Sequence, residues 1–369
     1  MPMSDGTATV MVADAFGEPL TARRVPLPRL EPGGVLVKIA AAGVCGSDLD
    51  ILGGEDPRIG LPLVPGHEGV GWVVETGGER ADVFGRPLRP GDLATWNRGI
   101  SCGRCYECAV MRQPALCPNR RVYGINIPAS EPPGLNGCYA THIYLRPATQ
   151  IVKLAEDVEP AAVVAATCSG ATAAHAIEQA DVQPGEVVVV IGPGPLGLFA
   201  AALAFEKGAR EVVILGTRRG AARLAMAERF GCRPVNIHET TPQQRAAMVR
   251  ELSWGRGADV VVDAAGRPES IREALGLVAR GGRVVLPGVA TPVGQVPVAV
   301  YEELAVKNVS LHGTWVSDTR HLCQALQVAT SPRYRLAEMV TAFALMQANE
   351  ALQALRERKV IKAVLVQEK

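Results

Sequence analysis

The stretch VVVVIGPGPLGLFAAALAFEKGA, residues 187–209, decides the fold of this chain. Its opening run is apolar and β-branched at every position, the pattern of a strand covered on both faces. Gly192, Gly194 and Gly197 follow as GPGPLG, with Pro195 and Leu196 before the third glycine. Residues 195–209 then take up helical periodicity. The first glycine permits a tight turn, the second lets backbone approach a pyrophosphate, and the third lets helix and strand pack closely. The helix start would face the phosphates with free N–H groups and a favourable dipole. Such a pattern alone also describes a plain tight turn. The strand before it and the helix after it favour a dinucleotide loop.

Further strand and helix signals alternate beyond it. EVVILG (211–216), ADVVVDAAG (258–266) and RVVLPG (283–288) read as strands; 221–231 and 270–282 read as helices. Apolar strands alternating with helices argue for an α/β unit, a doubly wound parallel sheet of the Rossmann type. The strand EVVILG runs into Gly216, Thr217, Arg218 and Arg219. A carboxylate there would bond the ribose 2′-hydroxyl of NAD, and none is present. Two guanidiniums suit the 2′-phosphate of NADP(H) instead. The alternative is that they are solvated, or stack on adenine while NAD(H) binds.

The first 150 residues have a different texture, rich in Gly and Pro. Residues 36–44 and 69–78 read as strands of an irregular, mostly antiparallel domain. Residues 161–180 form a small-residue helical stretch, and IKAVLV near the C-terminus a final strand. The simplest organisation is a dinucleotide-binding domain over 170–312, inserted between two parts of a catalytic domain, 1–169 and 313–369.

The totals set outer limits. The 369 residues are 48% hydrophobic and 20% charged with a net charge of +1, so nothing points to nucleic acid or an anionic membrane. The start, MPMSDGTATV, lacks the basic and apolar regions of a signal peptide, and no apolar run is long enough to span a bilayer. A cytoplasmic protein is expected. In that reducing setting the nine cysteines are better read as metal ligands or buried thiols than as disulfides.

Four of them crowd together. Cys102, Cys105, Cys108 and Cys117 offer four soft thiolates on one short loop, the signature of a closed tetrahedral zinc site with a structural role. An iron–sulfur cluster is the rival, and free thiols are the weakest alternative. Two further motifs are Cys45-Gly46-Ser47-Asp48 and Gly66-His67-Glu68. Each alone means little, since a lone Cys or His is more often buried filler or a hydrogen-bonded loop residue.

Taken in order, CGSD, GHE, four clustered cysteines, a later cysteine in a helix and the glycine loop resemble the zinc-containing medium-chain alcohol dehydrogenase family. The resemblance covers almost the whole chain and implies a GroES-like catalytic domain beside the Rossmann domain. It implies that Cys45, His67 and Cys168 hold a catalytic zinc, with Glu68 behind the metal or exchanging as a fourth ligand. Asp48 would accept from the far nitrogen of His67 and fix its tautomer. Cys168 matches the alcohol branch; a glutamate usually stands there in the polyol branch. Two thiolates and an imidazole leave one tetrahedral position for substrate oxygen, and the hydride passes to the nicotinamide.

Ser47 would be the first proton relay. The family often has a histidine three residues later, where this chain has Asp50, which either passes the proton or faces solvent. Trp96 and Asn97 stand where the family often lines its substrate cleft, and Trp315 follows the last sheet strand and could reach it. Each is as readily a packing residue. Thr172, Gly288 and Val289 resemble nicotinamide-side contacts. The implied activity is hydride transfer between a secondary alcohol or its ketone and NADP(H), in a homodimer or homotetramer. The rivals are an NAD-dependent polyol or amino-alcohol dehydrogenase and a catalytically silent NADP-binding protein. His142, His175, His238, His312 and His321 fit no ligand spacing, and Cys138, Cys232 and Cys323 are read as unliganded.

Overall fold

The computed structural model describes residues 6–368. Met1–Asp5, the opening of the segment read as lacking a signal, and Lys369 lie outside the described residues. The chain divides into two compact units. One comprises the chain through Cys168, Asp318–Cys323 and the segment from Ala337 to the C-terminal end. The other comprises Ser169–Ser317 and Gln324–Leu336.

The second unit is built on a six-stranded sheet whose neighbouring strands all run parallel. Its spatial order is Arg233–Asn236, Glu211–Gly216, Val187–Ile191, Ala258–Asp263, Val278–Leu286, Ser310–Gly313. The chain thus winds outward from Val187–Ile191 on one side and returns to wind outward on the other. That reversal opens a crevice at the C-terminal end of Val187–Ile191, where GPGPLG follows. Val187, Val188, Val189 and Val190 have no exposed surface, which explains the unbroken apolar run.

Two local readings change. The helix expected over 270–282 ends at Leu277, and Val278–Leu286 is one strand. Val278 is buried and pairs with Ala258, with a bulge before the register resumes at Val260, so the sheet takes residues assigned to the helix. The strand Arg233–Asn236 and the helix Pro242–Leu252 carried no clear signal. The strand includes Pro234 and lies at a sheet edge, where proline is tolerated. The helix is largely polar, and its start is fixed by a reciprocal cap between Thr241 and Gln244. The sequence reading returns the chain to the catalytic domain at 313. In the structure, residues through Ser317 and again Gln324–Leu336 group with the parallel sheet, where Tyr334 meets the Phe230 ring edge-on at 5.5 Å and donates to Glu206.

The first unit centres on a sheet in the order Val340–Ala344, Lys362–Val366, Val35–Val44, Gly69–Thr76, Leu93–Trp96, Ile151–Lys153. His142–Leu145 also pairs with Val35–Val44. Pairing is antiparallel except between Val340–Ala344 and Lys362–Val366. Its core gathers Val35, Val37, Ile39, Trp96, Tyr123 and Tyr139. Within the described residues no single helix is long and apolar enough to cross a membrane.

Candidate active site

The strand Val35–Val44 runs straight into Cys45, and the helix Gly46–Gly53 starts behind it. Asp48, in the first turn, folds back so that its Oδ2 accepts from the Cys45 amide at 2.8 Å. The hydroxyl of Tyr139 donates to the same oxygen at 2.9 Å. The other oxygen, Oδ1, faces His67 Nδ1 at 3.1 Å. The imidazole is thereby oriented with Nδ1 toward the carboxylate and Nε2 away from it. Gly66, just before His67, has φ +90°, and a Cβ there would sit 2.3 Å from the Tyr139 ring. Only glycine lets the loop bring His67 this close.

Cys168 arrives from the third segment, and here the sequence reading needs correction. The stretch 161–180 is not one helix. It is a short helix Pro160–Val163, a 3-10 turn Val164–Thr167 and a helix Ser169–Ala180. Cys168 sits at the break with φ −128° and ψ −73°, outside helical geometry. The break turns its thiol toward Cys45. One donor atom each from Cys45, His67, Glu68 and Cys168 lies within 4.8 Å of the others.

The electrostatics fit a cation. A hydrogen bond from Cys168 holds the Cys45 thiol well below its usual range despite full burial, with His67 helping. Cys168 is pushed up by the same hydrogen bond and by burial, so Cys45 is the thiolate of the pair. Burial pulls the His67 imidazole down, but Asp48 outweighs it and lifts it to about 10. A thiolate, a second thiol and an imidazole backed by a carboxylate are borderline-soft donors suited to zinc.

Glu68 lies fully buried behind this group. Its Oε2 meets Lys362 Nζ at 2.5 Å, and Lys362 also donates to the Val44 carbonyl at 3.1 Å. Its Oε1 is sealed with no partner among the described residues. Burial raises the carboxyl to about 7 against the pull of Lys362. A Cβ at Gly43 would fall 1.9 Å from Glu68 Oε2, so that glycine makes room for the carboxylate. Neither Lys362 nor Tyr139 was singled out from sequence. A lysine inside the apolar run IKAVLV was the available signal for the first; Tyr139 had none.

Ser47 Oγ stands 3.2 Å from Cys45 Sγ. Asp50, on the same helix, is half-buried; burial and then the Glu55 charge raise it to about 6. Trp96 does not line a cleft: it is 1% exposed, and a Cβ at Gly69 would lie 2.4 Å from its ring. It is a core residue of the antiparallel sheet. Asn97 is engaged at both ends, donating to Thr319 at 3.0 Å and accepting from the Gly99 amide at 2.9 Å. Beside it Arg98, unremarked in the sequence, is buried and donates to the Thr167 carbonyl at 2.9 Å.

The four-cysteine loop also closes on itself, with donor atoms within 4.8 Å. The Cys102 amide lies 3.4 Å from Cys117 Sγ, and the Cys105 and Cys117 sulfurs are 3.8 Å apart. Backbone amides of Arg104 and Cys105 draw the Cys102 thiol down to about 6. Tyr106, Val110, Met111 and Leu116 on this loop are exposed, so it has little core of its own.

In the other unit, Gly192 has φ +102°, and a Cβ on Gly197 would fall 1.9 Å from the Gly192 carbonyl. A Cβ at Gly194 would meet nothing within 4 Å. Pro195 opens the helix Pro195–Glu206 with no side-chain cap, which leaves its first amides to a ligand. Gly216 is buried; Arg218 and Arg219 are exposed and make no ion pair among the described residues. Thr172, Gly288 and Val289 are half-buried in this unit, and Trp315 is 39% exposed. Within the described residues the other histidines and Cys138, Cys232 and Cys323 join neither donor group.

Residues 31–156 match the alcohol dehydrogenase GroES-like domain family, and residues 195–331 match the zinc-binding dehydrogenase family. The 5-exo-hydroxycamphor dehydrogenase of Pseudomonas putida is 31% identical over 92% of this chain and 94% of its own. An L-threonine 3-dehydrogenase of Streptomyces avermitilis is 31% identical, with 86% of each chain covered. The crystal structure of an alcohol dehydrogenase from Thermotoga maritima is 41% identical, covers 98% of this chain and 100% of its own, and superposes with a TM-score of 0.95. An alcohol dehydrogenase GroES-like domain, a zinc-binding dehydrogenase domain and relatives matched over most of their length define an oxidoreductase of alcohol dehydrogenase type. The chain belongs to the zinc-containing medium-chain dehydrogenase/reductase family.

Proposed function

We propose that the chain is a zinc-dependent dehydrogenase that moves a hydride between a secondary alcohol or its ketone and NADP(H). The observation that carries this reading is the convergence of Cys45, His67 and Cys168 from three separate segments, with Asp48 orienting the imidazole. Zinc held by the two Sγ atoms and His67 Nε2 would supply Lewis acidity toward the substrate oxygen. Asp48, Tyr139 and the Cys45 amide hold the imidazole in one tautomer. Glu68 and Lys362 balance each other's charge behind the ligands. Ser47 Oγ, beside Cys45, accepts the alcohol proton, and Asp50 takes it toward solvent. The Cys102, Cys105, Cys108 and Cys117 loop would take a second, structural zinc.

The glycine loop, with Gly192, Gly194, Pro195, Leu196 and Gly197, would cradle the dinucleotide, and Thr172, Gly288 and Val289 would face the nicotinamide. The choice of NADP rests on the free Arg218 and Arg219 after Gly216 and Thr217. Steady-state kinetics with both cofactors test it. A higher kcat/KM for NADP is expected, and replacing both arginines by alanine should cut that preference about 10- to 100-fold. A native preference for NAD would refute the assignment. An L-threonine arm tests the amino-alcohol reading favoured by the Streptomyces relative.

A further inference from the structure

Arg98 lies between the strand Leu93–Trp96 and the short strand Gly99–Ile100. It is only 5% exposed. One N–H group donates to the carbonyl of Thr167, the residue preceding Cys168, at 2.9 Å. A guanidinium has five donors. Arg98 makes no other side-chain hydrogen bond and no ion pair with a carboxylate among the described residues. Its remaining N–H groups are not among the sealed, unpartnered polar atoms, so they open onto accessible space.

Its charge draws down the nearby Cys168 thiol, but no carboxylate pairs with it among the described residues. Glu68 is matched by Lys362, and a divalent ion between Cys45 and Cys168 would be matched by two thiolates. Asp48 is turned to His67, Tyr139 and the Cys45 amide. A second cation lies close by. The Arg120 guanidinium packs against Gly99, where a Cβ would fall 2.2 Å from it. Burial and the like charge of Arg98 bring Arg120 down to about 9. The buried Arg98 has no carboxylate partner among the described residues, and crowding it against a second cation costs free energy that an anion would recover.

We propose that Arg98 is a specificity-determining residue that binds a carboxylate on the substrate, so that the preferred alcohols are short hydroxy acids. This rests on the alcohol dehydrogenase reading above and narrows its substrate class. The planar fork of arginine matches a carboxylate through paired N–H donors. Its bond to the residue before Cys168 and its pull on the Cys168 thiol anchor the guanidinium next to the candidate metal donors.

The test compares 2- and 3-hydroxybutanoate with their uncharged amides on the native holoenzyme and on Arg98→Met and Arg98→Lys. The native enzyme should favour an acid over its amide at least tenfold in kcat/KM. In Arg98→Met the acid-to-amide ratio should fall about a hundredfold, with part of it returning in Arg98→Lys. Zinc content of each variant reports whether the metal ligands survive. Butanoate should also raise the Tm of the native enzyme more than butanamide, a readout that needs no turnover and no variant. A native enzyme that oxidises acid and amide equally would overturn the proposal and leave the dehydrogenase reading standing. An Arg98→Met enzyme that keeps its acid preference would overturn it too. If no alcohol is oxidised, the dehydrogenase reading fails, and equal Tm shifts from butanoate and butanamide would then dispose of carboxylate binding at Arg98 as well.

Discussion

The two groups of side chains that could hold a metal are built on opposite principles. The cysteines from Cys102 to Cys117 lie on one loop and are brought together by local turns. Cys45, His67 and Cys168 come from segments far apart in sequence and meet only because the sheet around Val35–Val44 is in place. The loop cluster has its larger apolar side chains in solvent, so a bound metal would supply the order its own packing does not. The central group is buried and backed by an ordered set of supports: Asp48, Tyr139, Glu68, Lys362, and the space left by Gly43 and Gly66. A candidate metal group on one loop can be read from its spacing. A candidate group gathered by a fold needs the fold.

The sharpest way to break that contrast is to remove one thiol from each group. Cys45→Ser should lower turnover by about a thousandfold or more, since the Lewis-acid contribution is several kcal/mol, and should release about one zinc per chain. Its melting temperature should change little by comparison. Cys102→Ser should also release one zinc, but its main effect should be a lower Tm and rapid proteolysis within residues 99–122. Paired metal analysis, calorimetry and steady-state kinetics read both variants. Equal loss of turnover at a temperature where Cys102→Ser remains folded would erase the distinction between the two groups.

The same contrast explains what was legible in the sequence. The parallel sheet was legible because its strands are buried on both faces and read as unbroken apolar runs. The four-cysteine loop was legible because its spacing is its geometry. The edge strand Arg233–Asn236 was not, because half of its surroundings is solvent and its pattern is mixed. In the central group the candidate ligands, Asp48 and Glu68 were legible through resemblance, while Tyr139 and Lys362 were not. Tyr139 reaches Asp48 across 91 positions of sequence, and Lys362 reaches Val44 across 318. No local pattern encodes such contacts. Trp96 shows the converse case: of the two readings the resemblance and packing offered for it, cleft lining or core, its burial gives the core.

Lys362 tests whether the supports matter as much as that argument requires. Lys362→Met leaves Glu68 buried without its counter-charge, a change worth about 3–5 kcal/mol where one partner of a buried pair is removed. Glu68 can lessen the cost by taking a proton, because burial already raises it to about 7. The loss measured by denaturant unfolding should therefore grow as pH rises through 7. The double variant Glu68→Gln with Lys362→Met should recover much of the stability. Its kcat should still fall about 10- to 100-fold, the usual penalty for disturbing groups behind a metal ligand. A Lys362→Met enzyme with native stability at pH 8 would show that the central group does not need its backing.

The smallest expected effect concerns the way out for the proton. Asp50 can accept from the relay only as a carboxylate, and burial followed by the Glu55, Cys45, Asp48 and Asp56 charges raises it to about 6. Alcohol oxidation should therefore fall as pH drops through 6, and kcat/KM should level off above 7. The sign for stability is the opposite. A carboxyl whose folded pKa is raised holds its proton better in the folded state, so its contribution is present at low pH and is lost as pH rises through 6. Asp50→Asn should remove the acid limb of the rate profile, slow oxidation a few-fold at pH 8 and leave the melting temperature there equal or slightly higher. Glu68 would contribute near 7 and would persist in that variant, so the two carboxyls are separable. Asp50→His should restore the rate with the limb moved toward the imidazole range, near 6.5 in an unperturbed side chain. A limb unchanged in Asp50→Asn would mean that protons leave the buried group without passing through Asp50, and Ser47 would then be the only relay the helix Gly46–Gly53 provides.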